Sequence, residues 1–363
     1  MRLVVLGGTG NFGARICRAL RTDPDLEVLS ASRRGVSLPD SPGMRSVQLD
    51  VEAATFPDAL AALAPDLVIH CVGPFQGQDY RVVQAALRAK AHYLDLADGR
   101  AFVAGFGAAN DARARAAGRL ALSGASTLPA LSSAVLDALA PRLRRLDAIE
   151  LVIAPGQRAS RGAATLRGVF SYLGRPFKWL HAGEWTEVHG WEELKRVRLA
   201  CGTRWAAACD VPDLELLPQR YASARTVEFR AALELGIQHF TLWLLAALRR
   251  RGVSVPVDDW AAGLDRIATA LERFGGDCGG MLVAATGVAH DGARRRICWQ
   301  LTVPATDGPQ IPCMAAALLA RRLATGQLVE RGAHPCMGFL KLSDFDAEFC
   351  RWNVRTRIDE SAA

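Results

Sequence analysis

Apolar residues fall in short unbroken runs through the first third of the chain and in longer, alternating runs after it. The runs at 3–6, 27–32, 45–50, 67–72, 92–96 and 120–124 have the length and bounded character of strands buried on both faces. Helical periodicity separates most of them, at 13–20, 58–63, 79–89 and 102–117. Six such units in about 130 residues predict a doubly wound parallel sheet. Beyond them the rhythm changes. Strands are expected at 148–154, 179–187, 197–199 and 227–231, then helices at 235–249 and 258–273. Alternating runs at 281–290 and 295–304 are joined by Asp291-Gly292, a hairpin signal. A helix at 311–323, a tight polar loop at 332–338 and a helix at 343–352 complete the prediction. The fold class is α/β: a parallel-sheet domain at 1–130, an α+β substrate and dimerisation domain at 131–310, and a segment at 311–363 returning to the first domain.

Between the first strand and the first helix stands Gly7-Gly8-Thr9-Gly10-Asn11-Phe12-Gly13. Gly8, Gly10 and Gly13 fit the G-x-G-x-x-G dinucleotide fingerprint of a Rossmann domain. In that pattern Gly8 serves the tight turn, Gly10 lets backbone approach a pyrophosphate, and Gly13 lets the helix pack close. The helix N-terminus then offers unpaired N–H groups to phosphate. The second strand ends at Ser32-Arg33-Arg34, with no acid for a ribose 2′-hydroxyl, and the arginines suit a 2′-phosphate. The expected cofactor is therefore NADP. Asp50 and Val51, after the third strand, are placed beside the adenine. Cys71, Val72, Gly73 and Pro74, after the fourth, are placed beside the nicotinamide.

Composition narrows the remaining classes. Half of the 363 residues are hydrophobic and the net charge is +7. Nearly all the basic charge is arginine, spread along the chain rather than clustered with aromatics, so nucleic acid is not an expected partner. Nine cysteines show neither C-x-x-C pairs nor zinc spacing, and no metal is expected. The apolar stretch at 231–248 carries Glu234, Gln238 and His239, which argues against a stable membrane span. Met1-Arg2 leads straight into the first strand, so a cytoplasmic protein is expected, acting on a small molecule and forming a homodimer.

The chain resembles the saccharopine dehydrogenase family, in its NADP-binding, saccharopine-reductase-like branch. The residues that carry the resemblance are Gly7 to Gly13, Ser32-Arg33, Val72-Gly73-Pro74-Phe75, Gln78-Asp79-Tyr80 and Tyr93-Leu94-Asp95-Leu96-Ala97-Asp98-Gly99. Pro129-Ala130-Leu131-Ser132 and Gly332-Ala333-His334-Pro335-Cys336 extend it to the far end. The resemblance implies a nicotinamide oxidoreductase, often one that reduces C=N. Short-chain dehydrogenases pair a Tyr with a Lys four residues on. Here Tyr80, Tyr93, Tyr172 and Tyr221 are followed by Gln84, Ala97, Pro176 and Arg225, which excludes that mechanism. Hydride transfer needs orientation and one proton donor, and the candidates are Tyr93, Asp95, Asp98 and His334, with bracing of its loop the alternative role for Asp95. An enoyl or lipid-type reductase and a catalytically silent NADP-binding regulator are the alternatives.

Overall fold

The computed structural model describes residues 1–36, 38, 44–160, 163–253 and 269–363. They divide into two compact units. The first comprises Met1–Leu131 and Gln310–Leu340, the second Ser132–Pro309 and Lys341–Ala363. The segment expected to return whole to the first domain is thus shared. Its helix and following strand belong to the first unit, and the stretch from Lys341 onward belongs to the second.

In the first unit, strands β1 (Arg2–Leu6), β2 (Glu27–Ser32), β3 (Arg45–Gln48), β4 (Leu67–His70), β5 (His92–Asp95) and β6 (Leu120–Ser123) alternate with helices. The helices are α1 (Gly13–Leu20), α2 (Phe56–Ala62), α3 (Arg81–Arg88) and α4 (Arg100–Ala116). β1, β4 and β6 are buried along most of their length, as their unbroken apolar runs require. Further strands and helices follow in the second unit, and β15 (Gly332–Pro335) then rejoins this sheet. The strand order is β15-β6-β5-β4-β1-β2-β3, and every pair is parallel. The order reverses between β1 and β4, the position where open α/β sheets bind ligands beyond the strands' carboxyl ends. The tight polar loop expected at 332–338 is in part this strand. Its backbone continues the β6 ladder, a pairing that no local pattern of four residues announces.

The second unit opens with α5 (Ser132–Leu139) and β7 (Leu143–Ala154), then α6 (Ala163–Ser171). Strands β8 (Pro176–His181), β9 (Glu184–His189), β10 (Lys195–Leu199) and β11 (Gly202–Ala208) follow. After α7 (Asp213–Arg220), β12 (Thr226–Ala232) and α8 (Gly236–Arg250) come β13 (Cys278–Ala289) and β14 (Arg294–Pro304). Helix α9 (Ile311–Ala324) packs on α1 in the first unit, where Cys313 Sγ lies 3.6 Å from the Phe12 carbonyl and Arg321 pairs with Asp23 at 3.3 Å. Helix α10 (Asp346–Arg351) and β16 (Arg355–Ala362) close the second unit. The helix expected at 258–273 falls mainly outside the described residues.

The nine-stranded sheet runs β10-β11-β12-β7-β13-β14-β16, with β8 and β9 branching from β12. It is mixed, because only β12 and β7 pair in parallel. It also curls. The backbone N–H of Ala200, at the β10–β11 turn, donates to Gln300 Oε1 on β14 at 2.7 Å. Val152, Ala154, Val197, Leu199, Ala206, Leu282 and Cys298 fill the enclosed face. At its other end Glu150 of β7 accepts Lys195 at 2.6 Å and Arg296 at 2.8 Å, two cations that together hold its carboxyl below the usual range against burial. Near the start of this unit, buried Asp213 accepts the Ser132 hydroxyl at 2.5 Å, while its other oxygen has no hydrogen-bond partner among the described residues. Burial pushes the Asp213 pKa up to about 7, the Ser132 bond opposing it.

Candidate functional site

The glycine turn is built as the fingerprint requires, with one exchange of roles. The left-handed residue is Gly7, at φ 76°, not Gly8. Gly8 is needed for contact, because a Cβ there would lie 2.5 Å from Ser30 Oγ on β2. A Cβ on Gly13 would lie 2.2 Å from the Gly7 carbonyl oxygen, a clash with backbone that cannot yield. The Gly10 N–H donates to Gly7 at 2.8 Å, and the Gly10 carbonyl receives Ala14 at 3.0 Å, which starts α1. Thr9 and Gly10 remain exposed, and Asn11 is held by Arg15, whose guanidinium meets its carbonyl and its side-chain oxygen, each at 2.5 Å. Backbone that reaches solvent at a helix start, with no Cβ in front of it, is the cradle a pyrophosphate needs.

Two further loops follow on from this turn, one beside it and one beside the other. A Cβ on Gly7 would lie 3.1 Å from Val72 Cγ2, so the loop after β4 runs directly beside it. That loop, Cys71 to Gln76, is clamped by Gln78, whose amide donates to the carbonyls of Val72 at 2.8 Å and Pro74 at 2.7 Å. Sequence reasoning did not single out this clamp. Gln78 stood within a family-like stretch, but nothing local shows its amide turning back. The loop after β5 packs on the loop after β4, since Gly99 approaches the Phe75 carbonyl so closely that a Cβ would sit 3.0 Å from it. Asp98 reaches across and accepts the Gln76 amide at 3.2 Å. The carboxyl ends of β1, β4 and β5 thus carry one continuous cluster.

On the other flank, Ser32 ends β2 and its buried hydroxyl has no hydrogen-bond partner among the described residues. Arg33 and Arg34 are exposed immediately beyond it, and Gln48 ties the Arg33 carbonyl to β3 at 3.1 Å. Asp50 turns the chain after β3 by accepting the Glu52 N–H at 3.1 Å, and Val51 is buried beside it. The Leu49 N–H donates to the Ser32 carbonyl at 2.9 Å, which keeps these two ends together. This flank fits the ribose and adenine of a dinucleotide, as the loops after β4 and β5 fit its other end.

The expected proton donors part company. Asp98 is solvent-accessible within the cluster. The packed loops around its carboxyl strip hydration and raise its pKa, with the Gln76 bond opposing. Tyr93 is fully buried. Its hydroxyl meets His70 Nδ1 at 2.9 Å, and its ring stacks with Phe106 at 5.9 Å. Burial lifts the Tyr93 pKa well above the usual value and pushes that of His70 down to about 3, so both stay neutral. Period-two alternation explains the misplacement: Tyr93 points to the face covered by α4, so it belongs to the core. His334 lies within β15, not in a tight polar loop. Its Nε2 meets the Arg331 carbonyl at 3.3 Å, and the ring stands beside Gly332 and Asp111, at the strand's start and on α4. The ring thus turns back toward the start of its strand, and among the described residues no hydrogen bond joins it to the cluster. Asp95 is a brace. Its Oδ1 accepts the N–H groups of Ala97 at 3.0 Å and Gly124 at 2.7 Å, and the Ser123 hydroxyl at 3.0 Å. Burial raises its pKa to about 6 against those bonds. Among the described residues no group of three or more His, Cys, Asp or Glu is arranged to hold a metal, and no helix is long and apolar enough to cross a membrane.

Residues 3–140 match the family model described as Saccharopine dehydrogenase NADP binding domain. No curated protein matches the chain. Among solved structures it is similar to apo saccharopine dehydrogenase (L-Glu forming) from Saccharomyces cerevisiae. The TM-score is 0.69 at 14% identity, covering 99% of this chain and 100% of that one. It is also similar to the homospermidine synthase of Legionella pneumophila, solved in complex with NAD. There the TM-score is 0.62 at 8% identity, covering 100% of this chain and 91% of that one. At such identities the likeness is one of fold. Residues 3–140 are therefore similar to the NADP-binding domain of saccharopine dehydrogenases, and the chain as a whole shares the fold of the yeast enzyme.

Proposed function

We propose that this protein is an NADP-dependent oxidoreductase that transfers hydride to a C=N bond formed from an amine and a carbonyl compound. The observation that carries the reading is the continuous cluster at the carboxyl ends of β1, β4 and β5. It joins a side-chain-free phosphate turn to the clamped loop of Cys71 to Gln76 and to a solvent-accessible carboxyl, Asp98. NADP is favoured over NAD by Ser32, Arg33 and Arg34 at the end of β2, where an acid would repel a 2′-phosphate. Gly7 to Gly13 would hold the pyrophosphate, Asp50 and Val51 the adenine, and Cys71 to Pro74 the nicotinamide. The bound cofactor would supply the hydride. The protein would orient the substrate, and Asp98, its pKa raised, would provide the proton. A small-molecule substrate, a homodimer and a cytoplasmic location, expected from the sequence, belong to the same proposal.

The test is NADPH consumption, followed over mixtures of amino acids or diamines with aldehydes and 2-oxo acids, beside an NADPH-binding titration. Turnover that needs both amine and carbonyl partner supports imine reduction. Turnover with an unsaturated acyl compound instead would make the protein an enoyl reductase. A second reading has its own support. With Tyr93 sealed in the core and His334 elsewhere, Asp98 alone stands as donor, so tight NADPH binding with no turnover over the whole panel would identify a regulatory NADP-binding protein.

A further inference from the structure

At one end of the curled sheet, two cysteines from distant parts of the chain meet. Cys201 occupies the two-residue turn between β10 and β11, and Cys278 is the first residue of β13. Side chains at 278, 280, 282 and 284 share one face of β13. That face is the enclosed one, since Leu282 and Ala284 belong to its apolar cluster and Cys201 packs against the same cluster. Gly280 makes the meeting possible. A Cβ there would stand 3.1 Å from Cys201 Sγ, so the missing side chain is the space that the thiol fills, one alternation from Cys278. The two thiols are within hydrogen-bonding reach of each other.

The surroundings favour chemistry between them. Both cysteines are partly exposed, as is Cys71, whereas Cys17, Cys209, Cys298, Cys313 and Cys336 are buried. Arg204, itself buried, donates to the Cys278 carbonyl at 2.7 Å and to those of Pro155 at 2.9 Å and Ala154 at 3.2 Å. Its guanidinium acts on the Cys201 thiol in favour of the thiolate, although desolvation leaves the Cys201 pKa raised. A buried cation, countered by Glu234 at 3.7 Å and fixed beside two neighbouring thiols, is the environment of a reactive pair.

We propose that Cys201 and Cys278 are a redox-modification site, closing to a reversible disulfide on exposure to a hydroperoxide. Cys278, at the start of β13, attacks the terminal peroxide oxygen, and its proton passes to the departing oxygen. The O–O bond breaks, an alcohol or water leaves, and Cys278 carries a sulfenic acid. The Cys201 sulfur then attacks the Cys278 sulfur, hydroxide departs and takes up the Cys201 proton as water, and the S–S bond forms. Two thiols lose two electrons, the peroxide gains them, and a dithiol reductant reverses the change. The bond would pin the β10–β11 turn to β13, across the opening of the curl.

The experiment treats the full-length protein, in a Cys350→Ser background that removes the exposed ninth thiol, with stoichiometric hydrogen peroxide. Intact mass and peptide mapping provide the readout. The expected result is a loss of 2 Da, a linked peptide joining Cys201 to Cys278, restoration by dithiothreitol, and a higher Tm for the oxidised form. Cys201→Ser and Cys278→Ser should each abolish the linked peptide, with Cys201→Ser leaving a trappable sulfenic acid on Cys278. Oxidation that falls first on other cysteines, or a 2 Da loss that persists in both variants, would overturn the proposal. Because the readout is mass, a variant that folds poorly is recognised by its own Tm, and alkylation rates of the two thiols in the parent protein then decide.

Discussion

The two sheets of this protein put their information in different places. In the seven-stranded sheet the recognition element is backbone: a turn stripped of side chains, a helix start, and loops held by carbonyl contacts. In the nine-stranded sheet it is side chains: Glu150 between two cations, Arg204 on three carbonyls, a thiol in the space of a missing Cβ. A backbone site needs particular residues at particular spacings and advertises itself. A side-chain site draws on strands far apart in sequence, so its chemistry emerges only when they assemble.

The sharpest way to break this comparison is to fill the backbone site. Gly13→Val should eliminate measurable NADPH binding in a fluorescence titration, because the new side chain must occupy space held by the Gly7 carbonyl. Calorimetry should still show the second unit melting. Binding within about tenfold of the parent would mean that the close approach is dispensable. Next in size, Asp98→Asn should lower kcat by about 100-fold with little change in NADPH affinity, since the phosphates are held at the glycine turn. An unchanged kcat would remove Asp98 from the chemistry. Arg33→Asp should weaken NADPH binding by about tenfold, or ~1.4 kcal/mol, and leave NADH binding largely unaffected. Equal losses for both cofactors would detach Arg33 from the 2′-phosphate.

The smallest effect sharpens the comparison from the side-chain end. Asp213 keeps its proton in the folded protein until about pH 7, whereas an unfolded chain releases it near the ordinary carboxylate value of about 4. The folded state therefore binds more protons across that window, and this group's contribution to stability falls as pH rises from about 4 to about 7. Asp213→Asn should flatten that slope and raise Tm at pH 8 by roughly a few degrees, with little gain at pH 4. A Tm that responds equally at both pH values would sink the assignment.

The legibility of the sequence follows the same division. The turn from Gly7 to Gly13, the end of β2 at Ser32 and the hairpin at Asp291-Gly292 were readable because local backbone chemistry fixes them. Tyr93 was misplaced because a polar residue near a strand end gives its register but not which face holds the ligand. His334 was misplaced because Gly332 to Pro335 joins β6, a pairing made across more than two hundred residues. The exchange of roles between Gly7 and Gly8 could not be read at all, since both are glycines and only φ distinguishes them. The curl that brings Ala200 to Gln300 left no periodic trace.

β16 has a consequence for how this protein is handled. Every residue of that strand is exposed, and it carries Arg355, Arg357, Asp359 and Glu360 along the rim of the larger sheet. Its inner edge covers the ladder of β14, whose central residues Ile297, Trp299 and Leu301 are buried. Remove it, and a long apolar strand presents open amides to any passing chain. A variant ending before Arg355 would be expected to grow into sheet-rich aggregates, so the charged final strand acts as a selvedge that keeps the weave from adding further threads.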